Sequence, residues 1–215
     1  MTAALFILLC VIATALFFDF TNGFHDTANA VASSIATGAL KPKAAVALAA
    51  VMNLIGAFLS VAVALTVTNS VVRIQNDDGT PIKELADSPH GQALLIILLA
   101  GLIGGILWNL FTWLLGLPSS SSHALFGGII GSTVAALHWD GVKWLGDGTK
   151  IDGVVGKIIA PAILSPVIAC AVAMVGTWLV FKIIGRGNED RLSKRFKYGQ
   201  IGSASLISLA HGTND

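Results

Sequence analysis

Two short polar stretches stand inside an otherwise apolar sequence, and both have the residue types of an ion site. The first is Thr21-Asn22-Gly23-Phe24-His25-Asp26-Thr27-Ala28-Asn29. Asp26 and Asn29, three apart, share a helical face. Together they offer oxygen ligands suited to a hard cation such as Na⁺, or an acid that carries a proton. His25 beside them is either a hydrogen-bond partner or a second proton carrier. The second stretch is Leu117-Pro118-Ser119-Ser120-Ser121-Ser122-His123, directly after Gly116. Gly116 and Pro118 predict the end of one helix, and the serines are preferred caps for the next. A helix start with free N–H groups, the positive dipole end and several hydroxyls is an anion site in kind. The plainer alternatives are a helix-capping carboxylate at Asp26 and a turn of small residues at the serines.

Neither stretch contains Lys or Arg, so an anion bound there has no fixed positive partner. It would need a co-bound cation or a proton, which is the physical logic of a symporter. An internal echo supports this reading, because Gly23-Phe24-His25-Asp26 returns 189 residues later as Gly212-Thr213-Asn214-Asp215.

The surrounding elements must be membrane helices. Charged residues make up only 12% of the 215 residues and mean hydropathy is +0.79, far from a soluble domain at about 25% charged. Apolar runs extend over Thr2 to Phe20, Ala44 to Val67, Ala93 to Leu117, Ala124 to Leu137 and Val154 to Ile184, and most approach the ~20 residues a membrane helix needs. The first run is not a signal peptide, since it lacks a positive start and Asp19, His25 and Asp26 precede the small-residue site at Ala28 to Ala30. No Lys or Arg occurs in residues 1–40, and one straight helix of that length would be nearly twice the ~30 Å hydrocarbon core. A break at Asn22-Gly23 is therefore expected.

Lys182, Arg186, Arg191, Lys194, Arg195 and Lys197 mark loop 182–197 as cytoplasmic, and Lys41 with Lys43 marks a second cytoplasmic turn. The N-terminus then lies outside, in a cell (plasma or inner) membrane. Residues 93–138 must go in and come back, as two spans or one re-entrant hairpin. The fold class is an all-α polytopic membrane protein, an inverted-repeat transporter with broken helices or a re-entrant hairpin. Residues 1–181 form the first transmembrane repeat, 182–200 a basic cytoplasmic loop, and 201–215 the start of a second repeat on which the sequence stops. The near-neutral charge of +1 excludes a polybasic nucleic-acid surface.

At these motifs the sequence resembles the inorganic phosphate transporter (PiT) family, most of all its bacterial low-affinity permeases. The matching segments are Asn22 to Ala32, Trp108-Asn109-Leu110 through Gly116 to His123, and His211 to Asp215. The resemblance implies phosphate transport with H⁺ or Na⁺ as co-transported ion and no resident cofactor. It implies phosphate-binding roles for Ser119, Ser120, Ser121, Ser122, His123 and Asn214, and cation or proton coupling at Asp26, Asn29, Asp215 and His25. The chain departs from eukaryotic members at His25, where they have Asn, and at Asn53, where they have Glu. The lost carboxylate shifts the expectation towards protons, with a neutral divalent metal–phosphate complex as one form of the cargo. A homodimer is one assembly left open, and the identity of any bound metal is unknown. A buried acceptor such as Asp26 would favour HPO₄²⁻, which carries a proton, over sulfate.

Two rival readings use the same residues. An intramembrane serine hydrolase would need a serine paired with a histidine that a carboxylate orients. A divalent-metal transporter would need clustered carboxylates, thiols or histidines. Trp139 and Trp144 read as interfacial anchors, and Gly101, Gly104, Gly105, Gly127, Gly128 and Gly131 as close-packing faces.

Overall fold

The computed structural model describes residues 3–59, 71–74, 82–86, 92–146, 152–184 and 189–214. Among these residues the regular structure is helical apart from a single antiparallel bridge, Val72 to Val142. In chain order the α-helices are α1 (Ala3–Ala36), α2 (Pro42–Leu59), the single turn α3 (Lys83–Ala86), α4 (Gln92–Leu114), α5 (Ser121–Leu137), α6 (Ala160–Ile184) and α7 (Glu189–Asn214). A five-residue π-helical stretch, Val155–Ile159, leads into α6. Four helical segments among the described residues are long and apolar enough to cross a membrane: α1, α2, α4 and Val155–Lys182.

The expected break in α1 is absent. The helix runs unbroken through Asn22 and Gly23 for 34 residues, about 51 Å at 1.5 Å per residue. Its polar side chains bond back to their own helix instead of opening it. Thr21 donates its hydroxyl to the Phe18 carbonyl at 2.8 Å, and Ser34 donates to the Val31 carbonyl at 2.8 Å. Gly23 is helical and takes no positive φ. Such a helix exceeds the ~30 Å core and is accommodated by tilt or by turns that project beyond it.

The chain divides into two compact units, Met1–Asp26 with Ala62–Ile158, and Thr27–Val61 with Ile159–Asp215. In the first, residues 93–138 resolve into the helical hairpin α4–α5. Its second helix has 17 residues, about 26 Å. The hairpin closes through glycine. A Cβ on Gly101 would lie 3.0 Å from Ile129 Cα, one on Gly105 would lie 3.3 Å from Leu125 Cα, and one on Gly128 would collide with the Gly101 carbonyl oxygen. These pairings set an antiparallel register. Gly127 and Gly131, by contrast, meet nothing within 4 Å, so only part of the predicted glycine face is a packing face.

One end of this unit is closed by a small apolar core of Val71, Val72, Ile74, Leu85, Ile97, Val142 and Val154. There the Trp139 and Trp144 rings pack tilted at 36° with centroids 4.9 Å apart, and the Trp144 indole N–H donates to the Trp139 carbonyl at 3.1 Å.

In the second unit, residues 27–36 of α1 fold back onto α2 around Ala30, Val31, Ala45 and Ala49. Helix α7 packs along α2. Thr37, just before α2, donates to the Gln200 side chain near the middle of α7, whereas Asn53 and Gly56 meet His211, Gly212 and Leu209 towards its end. α7 therefore runs parallel to α2, and opposite to residues 27–36 of α1. From Pro161 to Lys182 every residue of α6 is exposed, and nearly all of that surface is apolar, as a lipid-facing helix requires.

Candidate functional site

The serine turn is built as its residue types predict. α4 ends in a Schellman motif: Gly116 has φ +65°, its N–H donates to the Trp113 carbonyl at 3.1 Å, and the Leu117 N–H donates to the Thr112 carbonyl at 2.9 Å. Only a residue without a Cβ takes that φ cheaply. Ser120 is the N-cap of α5, its side-chain oxygen accepting from the His123 N–H at 3.4 Å. The same oxygen lies 2.9 Å from His123 Nδ1. Ser119 accepts from the Trp108 indole N–H at 3.0 Å, which ties the turn back to α4.

These contacts frame a cavity of about 460 Å³ lined by Gly104, Trp108, Ser119, Ser120, His123, Ala124, Gly127 and Gly128. The glycines leave room where other residues would fill it. Ser121 is fully buried at the first turn of α5, and Ser122 is partly buried beside it.

The acidic motif reaches the same helix α4. Asp26 is buried, and its Oδ1 lies 2.8 Å from His25 Nδ1. His25 Nε2 in turn lies 3.3 Å from Thr112 Oγ1. Thr112 aims its hydroxyl at the carbonyls of Trp108 (3.0 Å) and Asn109 (3.2 Å). Phe24 packs edge-on against Trp113 at 5.3 Å between ring centroids. Asp26, His25 and Thr112 thus form one hydrogen-bonded line, and Thr112 sits one helical turn from Trp108 in the cavity wall. Asp19, on the same helix, is exposed.

Asn29 on α1 and Asn214 near the end of α7 are exposed, and Asp215 lies outside the described residues. Asn53 pairs with His211 at 3.1 Å between Oδ1 and Nδ1, so the position where a carboxylate was missed is hydrogen-bonded to the second motif.

From sequence, Thr112 has no assigned role, and Asn109 none beyond its place in a matching motif. The available signal was two polar residues three apart inside the 23-residue span α4, since polar groups in a span face protein or a cavity rather than lipid. Asn109 is fully buried, and neither of its side-chain polar atoms has a hydrogen-bond partner among the described residues.

The arrangement bears on both rival chemistries. Ser120 and His123 are within hydrogen-bond reach, but Ser120 Oγ is occupied as a helix cap, and the carboxylate that orients a histidine belongs to His25, which faces a threonine. Among the described residues no group of three or more His, Cys, Asp or Glu is placed to hold a metal ion.

Known proteins align over these same segments. The chain is 54% identical to the "Probable low-affinity inorganic phosphate transporter" of Mycobacterium tuberculosis (strain ATCC 25618 / H37Rv) over 215 residues, covering 100% of this chain and 46% of that protein. It is 51% identical to the protein of the same description from Mycobacterium leprae, with the same coverage. With that of Bacillus subtilis it shares 40% identity, covering 58% of the relative. The chain therefore spans about half the length of these curated relatives. No solved structure matches it. Residues 22–192, which include both motifs on α1 and at the α4–α5 turn, match the Phosphate transporter family, and the chain belongs to that family.

Proposed function

We propose that the whole protein carries inorganic phosphate across the cell membrane in symport with a cation, and that the cation is a proton. The observation that carries this reading is the serine turn. It is a capped helix start opening on a cavity of about 460 Å³, in a family of phosphate transporters, one helical turn along α4 from a buried carboxylate–histidine pair. Phosphate would sit against Ser119 to Ser122 and His123, where helix-start N–H groups and hydroxyls favour an anion. A proton delivered with the anion neutralises charge only while both are bound.

The proton assignment is supported by the hydrogen-bond inventory at His25. When Thr112 donates its one hydroxyl proton to the Trp108 or the Asn109 carbonyl, its oxygen is left to accept from His25. The Asp26 carboxylate is an acceptor as well. A histidine donating from both ring nitrogens suits both neighbours, and the pair is then neutral as a whole. Losing the proton leaves Asp26 negative in a span without Lys or Arg.

The roles of Asn29, Asn214 and Asp215 rest on the resemblance of the motifs. The antiparallel course of α7 and residues 27–36 of α1 is what an inverted pair of repeats requires. Cytoplasmic placement of loop 182–197 puts the N-terminus outside. Because the site of such a transporter lies between repeats, this chain would supply one half of it. Carriage of a neutral metal–phosphate complex is a form of the same reading.

Uptake of labelled phosphate into proteoliposomes of the full-length protein, with a proton or a sodium gradient imposed in turn, tests the assignment. Accumulation driven by the proton gradient alone is expected. Accumulation driven by sodium alone would overturn the proton assignment, and none under either gradient would overturn phosphate transport.

A further inference from the structure

In the first unit, four described side chains are buried with unpartnered polar atoms: Asn22 Oδ1 on α1, both amide atoms of Asn109 on α4, and Ser121 Oγ on α5, with Thr133 Oγ1 standing apart further along α5. The first three side chains are 6%, 0% and 0% exposed. Helix register places these three at one level. A Cβ on Gly105 would lie 3.1 Å from Phe18 Cε2, and His25 Nε2 lies 3.3 Å from Thr112 Oγ1. Both pairs are separated by 87 positions (105 − 18 and 112 − 25), and the same offset pairs Asn22 with Asn109. Across the hairpin Gly101 meets Ile129 and Gly105 meets Leu125. One turn further, Asn109 comes level with Ser121.

Buried polar groups are almost always satisfied, and a cluster of unsatisfied ones implies a bound species. Its nature follows from the inventory. The two amide oxygens accept, the Asn109 NH₂ donates, and the Ser121 hydroxyl does both. A bare cation would serve the oxygens and leave the NH₂ unmet. Water, with two donors and two acceptors, meets every group, and two to four polar partners are what a buried water requires.

We infer that Asn22, Asn109 and Ser121 form a buried hydration site between α1, α4 and α5, one helical turn from Asp26 along α1. Ser121 belongs to the serine turn. The water therefore links the anion side to the carboxylate side and gives a proton a path between them. That role in proton passage rests on the proposed symport, whereas the hydration site itself does not.

Solid-state NMR of the full-length protein in liposomes, ¹⁵N-labelled at asparagine, tests the site through polarisation transfer from water protons. The Asn109 side-chain amide, identified by its loss in Asn109→Leu, is expected to receive polarisation as quickly as exposed amides and to be insensitive to replacing sodium by choline. No transfer, or an amide shift that depends on sodium, overturns the proposal. Thermal unfolding gives a second reading. If the junction is dry, Asn109→Leu removes two orphaned atoms and raises the midpoint. If it is hydrated, the substitution strips Asn22 and Ser121 of their shared partner and lowers it.

For proton passage, Asn109→Leu is expected to cut proton-driven uptake at least about tenfold while phosphate exchange without a gradient persists. Unchanged proton-driven uptake refutes the relay. Absence of phosphate exchange in the wild type would instead refute the transport reading and leave the NMR result to stand alone.

Discussion

Replacing Gly101 by alanine tests whether the α4–α5 hairpin is held at glycine-limited distance. The added methyl would lie 3.0 Å from Ile129 Cα, 3.0 Å from its Cγ1 and 3.1 Å from its N. Two of these atoms are backbone and cannot rotate away. Carbon atoms rest at about 3.5–4.0 Å, so the helices must part by about 0.5–1 Å, which forfeits a quarter to a half of each contact along the seam. Overpacking of this kind costs about 1–3 kcal/mol. Alanine also gains about 0.5–1 kcal/mol over glycine within a helix, and Gly131→Ala, on the open side of α5, gains that alone because nothing lies within 4 Å. The difference between the two variants isolates the packing cost. In detergent, with tryptophan fluorescence following thermal unfolding, Gly131→Ala should match or exceed the wild type, and Gly101→Ala should fall about 1–3 kcal/mol below Gly131→Ala. Equal stability of the two variants would show that the hairpin is not packed through glycine at this point.

Other outcomes follow from single contacts. Ser120→Ala removes the α5 cap and the His123 contact and should cost about 1 kcal/mol, with most of the loss recovered in Ser120→Asp, read by the same unfolding assay. Gly212→Ala would drive a methyl onto the Asn53 carbonyl. It should lower the yield of folded full-length protein in size-exclusion chromatography far more than Gly202→Ala, where nothing lies within 4 Å. Thr112→Val keeps the shape but removes the oxygen that faces His25 Nε2, and should displace the pH profile of phosphate uptake while leaving folding intact. An unmoved profile would place Thr112 outside the coupling path.

The membrane helices and the serine turn were legible because their causes are local. Apolar runs set the spans, Gly116 closes α4 by its positive φ, and Ser120 caps α5. The α1 break was misjudged because a length argument treats a span as upright. It gives no weight to Thr21 and Ser34 bonding back to their own helix. The inferred three-helix junction could not be read from sequence, since only the registers of two separate helix pairs bring Asn22, Asn109 and Ser121 to one level. Asn53 shows the same limit: read alone it is a missing carboxylate, and in the fold it is the partner of His211.

The most direct test of the central claim separates phosphate binding from its coupling to protons. Full-length wild type and Asp26→Asn would be compared in proteoliposomes, by phosphate–phosphate exchange without a gradient and by accumulation under an inward proton gradient. Asp26→Asn is expected to retain exchange and lose accumulation, because the serine turn still receives the anion while the His25 pair no longer holds a carboxylate. Wild-type accumulation by Asp26→Asn would contradict the account.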